Sequence, residues 1–400
     1  MCSSFETEEF KALLQRPKTD GDTGQCKRCP NAGSILLRGY DSYCKDCFVV
    51  YVNHKFCSTI GKMRAVRHGD KVLIAFSGGI SSSAMVHLVR ESIERAGSQR
   101  RLVFQPTVFL ILEKSVSSCY GSEEDCVSTA ARFCQNYDLP FAWCHLDEYF
   151  NESPQFYTKV EDFQPSGRQA QLKELFKKVN SLTAKEDLLK RTRTELLIRV
   201  AKLMDHRKIF VGSNSSRIAA DLLTFVAQGR GSQLPFEIGF SDTHDPDVTI
   251  IRPMREILQD EVEKYVEVKE IEVLEAFAQP EVMSRLSSIG TLTQDFLSSL
   301  QKDFPGTVPT VFRTGDKLTT AVKQDGEKCS FCKMPLDSTV IPPSSALQAR
   351  LYSSALSTLG KSASQELIER FVVSKPEKDF SLIDCSHLCY GCSLTIKDCT

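Results

Sequence analysis

No apolar run in this chain is long enough to cross a membrane. The longest, such as Val108 to Leu112, fall far short of the ~20 residues a spanning helix needs. No membrane partner is expected. The first residues, Met1 to Phe10, are acidic and lack the apolar core of a secretory leader, which predicts a soluble, intracellular chain. A dominant charge of either sign is also missing: 50 Lys and Arg face 51 Asp and Glu, for a net charge of −1. There is thus no global basic field, and nucleic acid would have to bind at a local patch or on a surface shared with a partner. The one tryptophan, Trp143, is expected in the core. At 400 residues, 41% hydrophobic and 25% charged, the chain has the composition of a globular protein able to build a sizeable core.

Cysteine, by contrast, is plentiful, with 16 residues. In a reducing compartment these are metal ligands, reactive thiols or small core residues rather than disulfides. Cys26-Lys-Arg-Cys29 and Cys44-Lys-Asp-Cys47 form two Cys-x-x-Cys knuckles 14 residues apart, a spacing suited to tetrahedral zinc. Pro30, Gly33 and Gly39 fit the tight turns of such knuckles. A second cluster combines Cys329-Ser-Phe-Cys332 with Cys385-Ser-His-Leu-Cys389-Tyr-Gly-Cys392, and Cys399 lies beyond. The expected ligands are Cys329, Cys332, Cys389 and Cys392, with Cys385 and His387 as spare candidates. Zinc is expected here too, although an iron–sulfur cluster would use the same thiolates. Cys57, Cys119, Cys126, Cys134 and Cys144 lack metal spacing and read as core thiols. From His145 to Lys328 there is no cysteine at all.

Between the cysteine clusters, strand and helix periodicities alternate. Strands are predicted at Val72–Phe76, Thr107–Leu112, Phe141–Leu146, Lys208–Val211 and Asp247–Ile251. Helices are predicted at Ser82–Ala96, Glu123–Tyr137, Arg168–Asn180, Ala184–His206, Arg217–Ala227 and Ile257–Val268. This alternation implies an α/β fold with an open parallel sheet covered on both faces, whose ligand crevice lies where the loops follow the strands. Two such loops should share it. One is Ser77-Gly78-Gly79-Ile80-Ser81-Ser82, a Ser/Gly turn that opens a helix and can cradle phosphate. The other begins at Gly212 and runs Ser213-Asn214-Ser215-Ser216. The first loop reads either as a nucleotide site, retained or vestigial, or as an inherited capping turn. Arg217 and Arg230 flank the second loop as candidate phosphate contacts. Lys190, Arg191, Arg193, Arg199, Lys202, Arg207 and Lys208 form either a nucleic-acid-facing patch or a solvated helix face. Four segments follow from these features: a zinc-bearing segment at 1–68, the α/β domain at 69–279, a loop-rich connection at 280–328 marked by Pro305-Gly306 and Pro309, and a cysteine-rich segment at 329–400. Ser344–Arg370 shows helical periodicity.

These residues resemble the PP-loop ATP-pyrophosphatases that thiolate tRNA, whose signature is Ser-Gly-Gly-x-Asp-Ser. Val211-Gly212-Ser213-Asn214, Gly229-Arg230-Gly231, Arg252-Pro253-Met254-Arg255-Glu256 and both cysteine clusters extend the resemblance across most of the chain. Within that group it looks most like the cytoplasmic tRNA 2-thiolation protein 2 family. The resemblance implies a fold of the adenine-nucleotide α-hydrolase type, a cytoplasmic location, and pairing with a catalytic paralogue. It also implies action on the wobble uridine of tRNAs for Lys, Gln and Glu, with sulfur from a thiocarboxylated ubiquitin-related modifier. ATP is the cofactor of the catalytic members.

The sequence departs from those members at three places. Ser81 stands where the signature has Asp. The second loop reads Gly212-Ser213-Asn214-Ser215-Ser216-Arg217 where they have Gly-His-Asn-x-Asp-Asp. Their Cys-x-x-Cys and third cysteine are replaced by Ser181–Asp187 and Val273–Phe277. Without a local thiol for sulfur or a cluster, the chain reads as a non-catalytic, accessory subunit. Two other readings compete with it: a self-sufficient ATP-dependent tRNA sulfurtransferase using a distant thiol such as Cys119 or Cys126, and a zinc-bearing interaction scaffold.

Overall fold

The computed structural model describes residues 24–99, 104–113, 116, 122–164, 167–274, 288–318, 326–336 and 387–397. Cys119, Cys385, Cys399 and the expected helix at Ser344–Arg370 lie outside them. The described chain opens with a small hairpin, β1 (Ile35–Leu37) and β2 (Asp41–Tyr43), followed by the long helix α1 (Lys45–Lys62). The α/β domain then runs β3 (Lys71–Phe76), α2 (Ile80–Gln99), β4 (Gln105–Leu112), α3 (Glu123–Asn136), β5 (Phe141–His145), α4 (Gln169–Lys177), α5 (Leu182–Leu203), β6 (Lys208–Val211), α6 (Ser215–Ala227), α7 (Leu234–Ile238), β7 (Ser241–Asp242), β8 (Thr249–Ile251) and α8 (Gln259–Lys269). Helices α9 (Ile289–Asp303), α10 (Thr307–Asp316) and α11 (Tyr390–Lys397) complete it.

The sheet order is β5-β4-β3-β6-β8-β7, with every pairing parallel except β7 against β8. The chain lays β4 and β5 to one side of β3, then returns to place β6 on the other. The reversal leaves a crevice at the carboxyl ends of β3 and β6, where ligands of open α/β sheets bind. Val72, Ile74 and Phe76 pack under α2, α3 and α8 on one face; Leu73, Phe109, Ile209 and Ile250 pack against α5 on the other. Trp143 is fully buried, and Cys126, Cys134 and Cys144 are core thiols as their context predicted.

Two expectations are corrected. The described residues of the connection at 280–328 are not loop-rich: they hold α9 and α10, which pack on α6 through Leu297 and Val308. The Pro and Gly residues that suggested a loop sit at the break. Pro305 and Gly306 separate the helices, and Pro309 falls in the first turn of α10, where its missing N–H has no intrahelical partner to lose. The helix expected at Arg217 starts two residues earlier, because the Asn214 side chain caps it by accepting the Arg217 N–H at 2.9 Å.

A buried carboxylate is one of the contacts that dock the hairpin and α1 on the α/β domain. Glu261, 1% exposed, accepts from Lys55 Nζ at 2.7 Å and Tyr51 Oη at 3.0 Å. It also accepts the Leu258 N–H at 3.0 Å, capping α8. Losing it leaves a partly buried ammonium and a helix end without their acceptor. Glu261→Ala is expected to cost about 3 kcal/mol, read in urea unfolding followed by Trp143 fluorescence; a loss well under ~1 kcal/mol would show that this docking contributes little.

Candidate functional site

The crevice is built from two loops that touch. In the first, Gly78 takes φ 73°, a left-handed conformation open to glycine, and turns the chain from β3 into α2. Ser82 Oγ folds back into the loop, accepting the Ser77 N–H at 3.3 Å and donating to the Gly79 carbonyl at 2.9 Å. The second loop approaches so closely that a Cβ on Gly212 would lie 3.3 Å from the Ser81 backbone. The loops that carry Ser77, Gly78, Gly79, Ser81, Ser82 and Gly212 therefore meet at one place.

Asn214 joins the parts. While its carbonyl caps α6, its amide Nδ2 donates to Ser81 Oγ at 3.1 Å and to Gln259 Oε1 at 2.6 Å. The neighbouring Ser215 Oγ donates to the Ile257 carbonyl at 2.9 Å, and the Gln259 N–H donates to Ser216 Oγ at 3.1 Å. Three elements, α2, α6 and α8, are thus tied by neutral hydrogen bonds. Gln259 is a site residue with no motif to announce it. The arrangement keeps backbone N–H groups at a helix start, which suit an anion. It offers no carboxylate at 81, 216 or 217 to hold a divalent cation beside one.

Arg217 stands on the rim with an exposed side chain, paired to Asp221 at 3.1 Å. The expected phosphate contact by Arg230 is corrected: its side chain is 0% exposed, so it presents nothing to a polynucleotide. The basic set on α5 and β6 is largely spent within the protein. Arg191 pairs with Asp187 and Glu237, Arg193 with Glu113, Lys202 with Asp245 and Lys208 with Asp70, and Arg199 donates to the carbonyls of Tyr149 and Asn151.

Both predicted cysteine quartets assemble. The sulfurs of Cys26, Cys29, Cys44 and Cys47 lie within 4.8 Å of one another, as do those of Cys329, Cys332, Cys389 and Cys392. Sulfurs at 2.3 Å around one tetrahedral ion would be about 3.8 Å apart, and Cys29–Cys44 at 3.6 Å and Cys332–Cys389 at 3.8 Å match that span. A four-iron cubane would spread its thiolates wider, since each binds a different corner. Amide donors already face the sulfurs. The Arg28 N–H lies 3.5 Å from Cys26 Sγ, the Cys389 N–H 3.3 Å from Cys329 Sγ, and the Cys392 N–H 3.5 Å from Cys389 Sγ. The first quartet is half exposed at Cys29 and Cys47, whereas the second is buried at all four positions. His387 donates no ligand atom; its carbonyl accepts from Ser330.

A mostly parallel sheet with Ser/Gly loops at its switch point, carrying cysteine quartets toward either end, defines a PP-loop α/β protein. The fold is similar to that of the U34-tRNA thiolase NcsA from Methanococcus maripaludis, solved with its four-iron, four-sulfur cluster: the TM-score is 0.57 at 21% identity, covering 78% of this chain and 96% of that one. A family model described as cytoplasmic tRNA 2-thiolation protein 2 matches residues 288–394. Proteins of that name are similar along the chain, at 31% identity in Rattus norvegicus (100% of this chain, 89% of the relative) and 30% in Xenopus laevis (100% and 92%). The chain belongs to the cytoplasmic tRNA 2-thiolation protein 2 family.

If Asn214 is the tie between loops, Asn214→Ala should cost about 1–2 kcal/mol and raise amide exchange in both 80–84 and 215–219. Exchange that rises only in 215–219 would reduce its role to a helix cap.

Proposed function

We propose that this protein is the non-catalytic, accessory subunit of a cytoplasmic complex that 2-thiolates the wobble uridine, U34, of tRNAs for Lys, Gln and Glu. Its partner is a catalytic paralogue, and the sulfur comes from a thiocarboxylated ubiquitin-related modifier. The observation that carries this reading is the crevice, which keeps the phosphate-binding loop while its chemistry is absent. Adenylating a uridine needs charge neutralisation on the leaving pyrophosphate, and carrying sulfur needs a thiolate. Ser81 stands where catalytic members carry one carboxylate and accepts a neutral hydrogen bond from Asn214, and Ser216 and Arg217 stand where they carry two more. Among the described residues, every cysteine belongs to a quartet or to another part of the fold, away from these loops.

Each quartet holds one zinc ion, which supplies folding free energy rather than reactivity. The purified chain should therefore contain two equivalents of zinc by elemental analysis. The half-exposed N-terminal ion should leave first to a chelator and the buried C-terminal one later; iron with visible absorption would instead establish a cluster. For the function itself, the purified chain with ATP, tRNA and the thiocarboxylated modifier should form no 2-thiouridine, and adding the catalytic paralogue should restore it. Deleting the gene should remove 2-thiouridine from the three tRNAs. Thiolation by the isolated chain would make it a self-sufficient sulfurtransferase, and unchanged 2-thiouridine in the deletion strain would leave only an interaction scaffold.

A further inference from the structure

The Gly229-Arg230-Gly231 turn, which ends α6, is built into the C-terminal quartet. Arg230 Nη1 points at Cys392 Sγ (3.5 Å) and Cys389 Sγ (3.8 Å), and Nη2 at Asp187 Oδ2 (2.5 Å) and Thr395 Oγ1 (3.4 Å). The backbones are shaped for this approach on both sides. A Cβ on Gly391, between the two cysteines, would sit 2.6–2.7 Å from the Arg230 side chain. A Cβ on Gly229, at φ 71°, would sit 2.4 Å from the Tyr390 ring. Gln233, two residues past the turn, extends Nε2 to Cys332 Sγ at 3.9 Å.

The carboxylate beside Arg230 is not its alone. Asp187 is shared, since Arg191 Nε reaches its other oxygen at 3.4 Å. Glu237 already serves Arg191 and Lys190. Burial alone would raise the Glu237 carboxyl, but those two cations outweigh it and hold it well below the usual carboxylate range. Arg230 shares one carboxylate with Arg191 on one side and faces sulfur on the other. Four thiolates around a divalent ion carry excess negative charge in a buried place, and the guanidinium beside them offsets part of it.

We propose that Arg230 is the charge-balancing positioning residue of the C-terminal metal centre, so that metal binding and seating of the 229–233 turn on α11 are one event. This rests on the reading that the quartet holds a metal ion. The test uses the full-length, metal-loaded protein and a chromophoric chelator, with the N-terminal ion as internal reference. Arg230→Gln should speed release of the slower metal by about 10–100-fold while leaving the faster phase unchanged, and Arg230→Lys should recover part of the loss. Gly391→Ala, which displaces the guanidinium but keeps its charge, should act in the same selective way and decides the matter if Arg230→Gln does not fold. In the cobalt-substituted protein, the thiolate-to-metal charge-transfer band of that centre should move to longer wavelength in Arg230→Gln as the N–H···S bonds are lost. Two metals in the wild type with unchanged release in the variants, or acceleration of both phases together, would overturn the role of Arg230. A wild-type protein that carries no C-terminal metal would overturn the metal reading itself.

Discussion

One side-chain amide holds the crevice together. Asn214 uses its carbonyl to start α6 and its amide to reach α2 and α8, so the two loops cannot part without breaking a helix cap. Helix α1, which follows the N-terminal hairpin, rests on Glu261, two residues beyond Gln259 on α8. The C-terminal quartet grips Arg230 at the far end of α6.

The polar interactions that matter are buried ones. An exposed pair such as Lys71–Asp205 contributes little, because water solvates both charges almost as well. Asp187, Arg191, Arg230 and Glu237 are all buried. Such a set need not stabilise the fold beyond an apolar core of equal volume, yet removing one member costs about 3–5 kcal/mol. Its effect is specificity: α5, α6, α7 and α11 fit in the one arrangement where every charge meets its opposite.

What could be read from sequence follows the range of the interactions involved. Strands and helices of the α/β domain were legible, because burial of alternate or every third and fourth residue leaves a local period. The quartets were legible because two ligands of each pair lie within one turn. Helices α9 and α10 were hidden by prolines whose positions are harmless only once the helix ends are known. Arg230 misled because glycines on both sides imitate an exposed phosphate loop, while the partners that bury it lie 159 and 162 residues away. Glu261 was silent for the same reason, with partners 206 and 210 residues distant.

That separation has a consequence in time. During synthesis Arg230 emerges 159 residues before Cys389. Until then, the turn between α6 and α7 carries a cation whose closing counter-charge has not been made. The nascent α/β domain is therefore expected to stay open along this edge, exposing polar surface where the mature protein has core, and to close only when the last thiolates arrive. Newly made chain is thus inspectable by the cell at one edge, and a message cut short before Cys389 yields a product that remains open there.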